Sequence, residues 1–582
     1  MRKIPVLSAA LALVIAGTAA CSSSSSSSTG KTGSSAGSGG TGGTGTAAAI
    51  DPKTCQGGTL EVLNQGGISI LDPARLYTSG GGNIPSLLFR TLTTRNRLPG
   101  QEGAKPAPDL ATDLGTPSDG AKTWTYHLKD GLFFEDGTPI TAQDVKYGIE
   151  RSFAPELPGG APYLRDWLVD ASDYQGPYKS PDGIKAIETP DAKTIIFHLR
   201  KPEGDFPLLA TATQFAPVPK AKDTGADYEK HPVSSGPYMV ASFEKKKSLQ
   251  LVRNPHWSAA VDTLRFACPD KINITAGLES AVINQRLATG SGADANAVTT
   301  DTQVGPDQLA QLNSNPDLAK RISRGEFPAT TYLAFNTKVK PFDDIRVREA
   351  VSYAVNRTTV VNAAGGTAVA GASTTFLPPQ KALGYQAYDY FPAGATGNAA
   401  KAKELLAQAG YPNGLGITLF HEADDAENLG PKIATALQEA LKAAGITVTL
   451  NPVEDSGYRD LTGKPSSEPG VSLQYWGSDW PSGAPFLIPI FDGRQIIDSG
   501  GNFNLAQLND PAVNTEIDAI NEITDPAQAQ ARWGALDAKL GQQALTVPLF
   551  YEKDVYLVGK NVKGAVPDGW RGQYDLSRIS VK

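Results

Sequence analysis

The sequence predicts an α/β protein of two or three lobes, with a parallel sheet flanked by helices, and three observations carry this. The chain has 582 residues, far more than one hydrophobic core organises. Between residues 398 and 450 the signals alternate. A helix over 398–409 stops at Gly410 and Pro412, ITLF at 417–420 reads as a strand, a second helix over 431–444 stops at Gly445, and ITVTL at 446–450 reads as a strand again. Helix between two such strands implies a parallel pair. Finally, KTWTYHLK at 122–129 and KTIIFHLR at 193–200 alternate apolar and polar residues with period two, as half-buried strands do. With 40% hydrophobic and 19% charged residues, the chain falls outside the disordered class.

The first twenty residues read as an export signal: Arg2 and Lys3, an apolar run from Val6 to Gly17, then small residues before Cys21. That run is too short to span a bilayer permanently. GTAAC resembles a bacterial lipobox, with Thr18 where Leu is usual, which makes Cys21 the expected lipidation site. From Ser22 to Thr46 the chain is nearly all Ser, Gly and Thr, a composition that cannot bury enough apolar surface to fold. We read it as a tether of about 25 residues, spanning roughly 25–30 Å. Cys55 and Cys268 remain, an even count in an exported chain, so they are either a disulfide or two buried thiols. Net charge is −7, and an acidic chain without a basic stripe argues against nucleic acid.

In FFEDGTPITAQDVKYGIERSF, residues 133–153, two carboxylates precede a Gly, a Pro and a helix pattern. Adjacent carboxylates in a turn diverge, whereas a general acid and base converge on one bond. Glu135 and Asp136 are therefore read as turn residues, followed by Thr141 as N-cap with Asp144 completing a capping box. The helix should bury Val145, Ile149 and Phe153. His127 and His198 share a parity in the two similar strands. With five His in the chain and no Cys or carboxylate at ligand spacing around this pair, they are read as outward-facing strand residues rather than a metal site.

Residues 106–153 also carry a resemblance. PAPDLATDLGTPSDGAKTWTYHLKDGLFFEDGTPITAQDVKYGIERSF is similar to the signature of the extracellular solute-binding proteins of peptide and nickel ABC importers. Further matches follow in order: SSGPYMV at 234–240, AFNTKVKPFDDIRVREAVSYAVNR at 334–357, AKELLAQAGYPNG at 402–414 and WGSDWPSGAPFL at 476–487. The likeness covers the chain from Gly57 to its end. It implies a two-lobed periplasmic-binding-protein clamp, type II with an extra domain, with mixed sheets and helices on both faces. Lobe I would comprise residues 51–83, 212–267 and 551–582, the extra domain 84–211, and lobe II 268–550. VDTLRF at 261–266 and VPLFY at 547–551 would cross between the lobes.

The resemblance further implies a lipid-anchored, extracytoplasmic monomer that captures di- or oligopeptides without catalysis or cofactor and delivers them to an ABC permease and its ATPase. Asp479 holds the place of an Asp that pairs with the ligand's α-ammonium. Tyr475, Trp476 and Trp480 surround it, and Thr78, Ser79 and Gly80 resemble a loop that lines the peptide backbone. A glycan or nickel-chelate receptor stays open, with Trp476 and Trp480 as stacking platforms, as does a cell-surface hydrolase. No HExxH occurs, and the Gly-x-Ser-x-Gly at 33–37 lies in the tether, where no strand-turn-helix supports a nucleophile.

Overall fold

The computed structural model describes residues 50–77, 83–423 and 429–582. Cys21, the tether, and Thr78, Ser79 and Gly80 lie outside them. Three sheets of four or more strands organise the described residues, beside a small antiparallel pair of Thr93–Arg95 with Pro106–Pro108. The first has five strands in the order Ala297–Val298, Thr59–Leu63, Lys271–Thr275, Ser248–Arg253 and Tyr238–Glu244. Thr59–Leu63 runs parallel to both neighbours, and the remaining pairs are antiparallel. Alternation in TLEVL turns Leu60 and Val62 into a core shared with Ile272, Ile274, Leu249 and Leu251. Cys55 and Cys268 are joined as a disulfide across 213 positions of sequence, so the chain's entry into this sheet is tied to the approach of Lys271–Thr275.

The second sheet has six strands, ordered Ala370–Ala372, Thr546–Leu557, Ile322–Phe335, Val471–Gly477, Leu415–Glu422 and Ile446–Val453. Leu415–Glu422 and Ile446–Val453 pair in parallel around the helix Leu429–Lys442, as the alternation between 398 and 450 predicts. The preceding helix, Ala399–Gln408, opens on Asn398, whose side chain accepts from the Lys401 amide. The third sheet is a four-stranded antiparallel one formed by residues 116–198. Here the two similar sequences pair with each other, Trp124 opposite Phe197 and Tyr126 opposite Ile195. His127 and His198 sit opposite Thr194 and Thr123, not each other, and His198 Nε2 lies 2.7 Å from Glu188 Oε1.

The stretch 133–153 folds as punctuation. Asp136 Oδ1 accepts from the Thr138 amide at 3.0 Å, an Asx turn. Glu135 Oε2 accepts from the Ser234 amide at 2.9 Å, which ties the turn to SSGPYMV. Thr141 and Asp144 form the capping box of the helix Ala142–Arg151, and Val145, Ile149 and Phe153 are buried.

Two expectations change. VDTLRF forms no strand; the polar residues Asp262 and Arg265 are buried in an ionic network instead. The partner of Thr546–Leu557 is the long strand Ile322–Phe335, antiparallel to it. At one end Val555 and Leu557 pack with Leu63, Ile283 and Leu287. At the other, Leu333, Phe335, Val547 and Leu549 belong to the core of the second sheet. Moreover, Lys271–Thr275 and Ala297–Val298 fall beyond residue 267, where the sequence reading ended the middle part of lobe I, yet they pair with Thr59–Leu63 in the first sheet. Lys271–Thr275 alternates polar and apolar residues and Ala297–Val298 is only two residues long, and neither pattern says which sheet its strand joins.

The network around Asp109 fastens residues 84–109 to residues 261–266. Asp109 takes Arg90 Nε on one oxygen at 2.6 Å and Arg265 Nη2 on the other at 2.8 Å. Arg265 also meets Asp262 at 3.0 Å, and all four side chains are buried. Burial alone would raise the Asp109 carboxyl, but the Arg265 and Arg90 guanidiniums outweigh it and hold it well below the usual carboxylate range. Because breaking a buried network strands uncompensated charge, Asp109→Asn should destabilise the protein by about 3–5 kcal/mol in urea denaturation at neutral pH. The gap to the native protein should narrow as pH falls below the ordinary carboxylate range, where native Asp109 also loses its charge.

Glu468 behaves in the opposite sense. Oε2 accepts from Gln507 at 2.9 Å, while Oε1 has no partner among the described residues. Burial pushes its carboxyl up to about 8 against the partial relief given by Gln507. A carboxyl raised in the folded state favours folding while protonated, and this contribution is lost as pH rises from the ordinary value toward 8. Glu468→Gln should therefore melt close to the native protein at pH 5 and several degrees above it at pH 9, as read by calorimetry.

Candidate functional site

Asp479 follows the strand Val471–Gly477, and its place is set by two hydrogen bonds of the preceding serine. The Ser478 amide donates to Pro328 O at 3.1 Å, and its hydroxyl donates to Trp480 O at 2.7 Å. Pro328 lies where the pairing of the two long strands loses register, between Glu326 and Thr330. A proline has no amide hydrogen to give the ladder, so a break is expected there. The carboxylate is thus held at the irregular middle of the strand pair that joins the two cores.

Two phenols converge on Asp479 from distant parts of the chain. Tyr77 donates to Oδ2 at 2.8 Å, Tyr163 donates to the same oxygen, and the two hydroxyls lie 3.5 Å apart. Among the described residues no donor reaches Oδ1. Burial, and then the charge of Asp479, push the Tyr77 phenol up to about 12; the same causes raise Tyr163 further. Both hydroxyls therefore keep their protons at physiological pH and act as donors.

Behind them stands an aromatic wall. Tyr163 meets Trp480 edge-on at 4.8 Å, and Trp167 meets Trp480 at 5.8 Å. The Trp480 indole N–H donates to Asp205 Oδ2 at 2.9 Å. Asp205 is half-buried; desolvation raises its carboxyl, and its bonds from Ser482 and Trp480 offset part of that rise.

Beside these groups lies a cavity of about 140 Å³. Tyr77, Tyr163, Asp479 and Trp480 share it with Arg95, Arg97, Trp570 and Arg571. Arg95 pairs with Asp568 at 2.8 Å and Arg97 with Asp575 at 2.7 Å. Burial opposes the charge on Asp575, but Arg97 prevails and holds its carboxyl down to about 2. The cavity therefore combines a carboxylate, a set of guanidiniums and apolar walls, which suits a small ligand with both an amine and an acid.

Of the residues singled out from sequence, Asp479 and Trp480 line this cavity. Trp476 is half-buried, its indole N–H on Pro485 O at 3.1 Å and its ring 4.8 Å from Phe503. Tyr475 is 48% exposed on the same strand. Neither belongs to the cavity lining, so Trp476 and Trp480 do not form one platform. Thr78, Ser79 and Gly80 lie outside the described residues, although Tyr77 just before them is a lining residue. Tyr77, Tyr163 and Arg571 were not picked out from sequence. No local pattern marks APYLRDW or WRGQYD as contributing to a cavity centred on residue 479.

Comparison with known proteins adds four findings. Residues 105–498 match the family model described as bacterial extracellular solute-binding proteins, family 5, middle. A glutathione-binding protein, GsiB of Shigella flexneri serotype 5b, is 27% identical over 464 residues, covering 77% of this chain and 81% of that protein. Among solved structures, clavulanic acid biosynthesis oligopeptide binding protein 2 is 35% identical with a TM-score of 0.84, over 90% of this chain and 95% of that one. The unliganded open form of MppA, a periplasmic murein tripeptide binding protein, has the same fold at 22% identity, with a TM-score of 0.73 over 90% of this chain and 97% of its own.

Proposed function

We propose that this chain, which belongs to the bacterial extracellular solute-binding proteins of family 5, is the peptide-capturing subunit of an ABC importer. In this reading it takes a di- or oligopeptide into the cavity beside Asp479 and passes it to a membrane permease driven by an ATPase. Cys21 carries the lipid that holds it at the outer face of the membrane, and residues 22–46 keep the folded body clear of the surface. The lobes close by bending of the two long strands, Ile322–Phe335 and Thr546–Leu557, near their break in register.

The observation that carries the reading is the setting of Asp479. A peptide ammonium enclosed by lobe closure needs a charged partner, or its desolvation goes uncompensated. Asp479 supplies that charge, and Tyr77 and Tyr163, both on one of its oxygens, orient the carboxylate. The names of the 35% identical structure and the 27% identical relative, an oligopeptide binder and a glutathione binder, support the same ligand class. The sugar-receptor alternative loses its main support because Trp476 lies off the cavity and Trp480 is 5% exposed, its indole N–H committed to Asp205.

The test begins with mass spectrometry of what the purified body, residues 50–582, releases on denaturation, where short peptides are expected. Asp479→Asn should then weaken binding of a recovered peptide by about 30-fold or more, the 2 kcal/mol or greater cost of stripping one partner from an enclosed charge pair. N-acetylation of the peptide should weaken its binding to the native protein to a similar degree. Sugars or a metal chelate in the released material would replace the peptide reading.

A further inference from the structure

Four arginines line the cavity, Arg95, Arg97, Arg265 and Arg571; Arg265 is held by Asp109 and Asp262, and of the other three Arg571 is the one without an ion pair among the described residues. Arg95 is ion-paired with Asp568 and Arg97 with Asp575, although Arg97 Nε has no hydrogen-bond partner of its own among the described residues. Arg571 donates its backbone amide to Asp568 Oδ1 at 2.7 Å, so the loop that carries it is fixed. Its side-chain Nη1, by contrast, is buried with no hydrogen-bond partner among the described residues. A buried guanidinium nitrogen left unpaired is costly and is a group that calls for explanation. Burial, and then the neighbouring Arg95 charge, depress the Arg571 guanidinium to about 10, against the pull of Asp568 and Asp479. The group remains a cation at physiological pH.

We infer that Arg571 receives a carboxylate of the bound peptide, so that the cavity reads a ligand's amine at Asp479 and its acid at Arg571. Guanidinium and carboxylate match in shape and can form two parallel hydrogen bonds, which makes arginine the fitting residue for this task. Both charged groups line the same small cavity, so the pairing favours peptides short enough for both ends to lie within it. The acid is either the C-terminal carboxylate or that of an acidic side chain; the chemistry at Arg571 is the same. The inference rests on the peptide reading above for the kind of molecule, but not on the role of Asp479.

The experiment is affinity selection with mass-spectrometric readout on native protein, Arg571→Gln and Arg571→Lys, all first shown by thermal melting to be folded. The probes are pools of di- and tripeptides prepared with free C-termini, as C-terminal amides, and as N-acetyl peptides with free C-termini. Native protein should retain the free-acid pool at least tenfold better than the amides. Arg571→Gln should lose that preference, and Arg571→Lys should keep part of it. Selective retention of amides that contain Asp or Glu, abolished in Arg571→Gln, would support the inference with a side chain as the source of the acid. Equal retention of acids and amides by native protein, or an acid preference that survives in Arg571→Gln, would overturn it. If amidation weakens retention while acetylation does not, Arg571 stands and the role given to Asp479 fails. The converse pattern removes Arg571 alone, and no retention from any pool removes both.

Discussion

The antiparallel pairing of Ile322–Phe335 with Thr546–Leu557 is the constraint on which the arrangement of the site depends. These strands have one end in a core beside the first sheet and the other in the core of the second. Regular pairing along their whole length would make the junction a stiff ribbon. The ladder instead breaks between Glu326 and Thr330, at Pro328, and the chain carrying Asp479 hydrogen-bonds to that same proline. The Asp479 carboxylate and the break in the ladder of the connecting strands are therefore built into one place. A rotation at the junction moves Asp479 relative to Tyr77 and Tyr163, which come from other parts of the fold.

The charges around the cavity follow one rule with two outcomes. Where a buried guanidinium has a fixed carboxylate, as in Arg90 and Arg265 on Asp109, the pair serves architecture and holds residues 84–109 against residues 261–266. Where the count is uneven, the surplus lies at the cavity. Arg571 is the unmatched cation, and Asp479 is a carboxylate held by neutral phenols rather than by a cation. Neutral donors orient Asp479 without cancelling its charge, which leaves it able to bind an incoming cation.

Much of the local architecture was legible in the sequence, because it is written in local chemistry. The capping box at Thr141 and Asp144, the Asx turn at Asp136, the helix begun by Asn398 and the parallel pair around 415–453 each follow from residues within one or two turns of each other. Asp479 stood out because an acid among three aromatics is conspicuous. What escaped depends on long-range assembly. By the resemblance VDTLRF would cross between the lobes as a strand, yet Asp262 and Arg265 are buried in the network of Asp109, more than 150 residues away, and the segment joins no sheet. Tyr77 and Tyr163 reach Asp479 across 402 and 316 positions, separations at which no periodicity carries information. Trp476 and Trp480 look equivalent in sequence, but a strand followed by a tight turn sends one toward Phe503 and the other toward Asp205.

The disulfide between Cys55 and Cys268 also has a mechanical meaning. A chain held at its N-terminus feels every tug first at the start of its folded part. Without a cross-link, such a pull would fall on Thr59–Leu63, a strand inside the first sheet that could be peeled hydrogen bond by hydrogen bond from its neighbours. The covalent link lies four residues before that strand and passes tension directly to the segment leading into Lys271–Thr275, its parallel partner. Both strands are then loaded together from the same end, so force must shear them out of the sheet as a unit rather than unzip one of them. In the lipid-anchored reading proposed above, this places the strongest joint where the folded body begins.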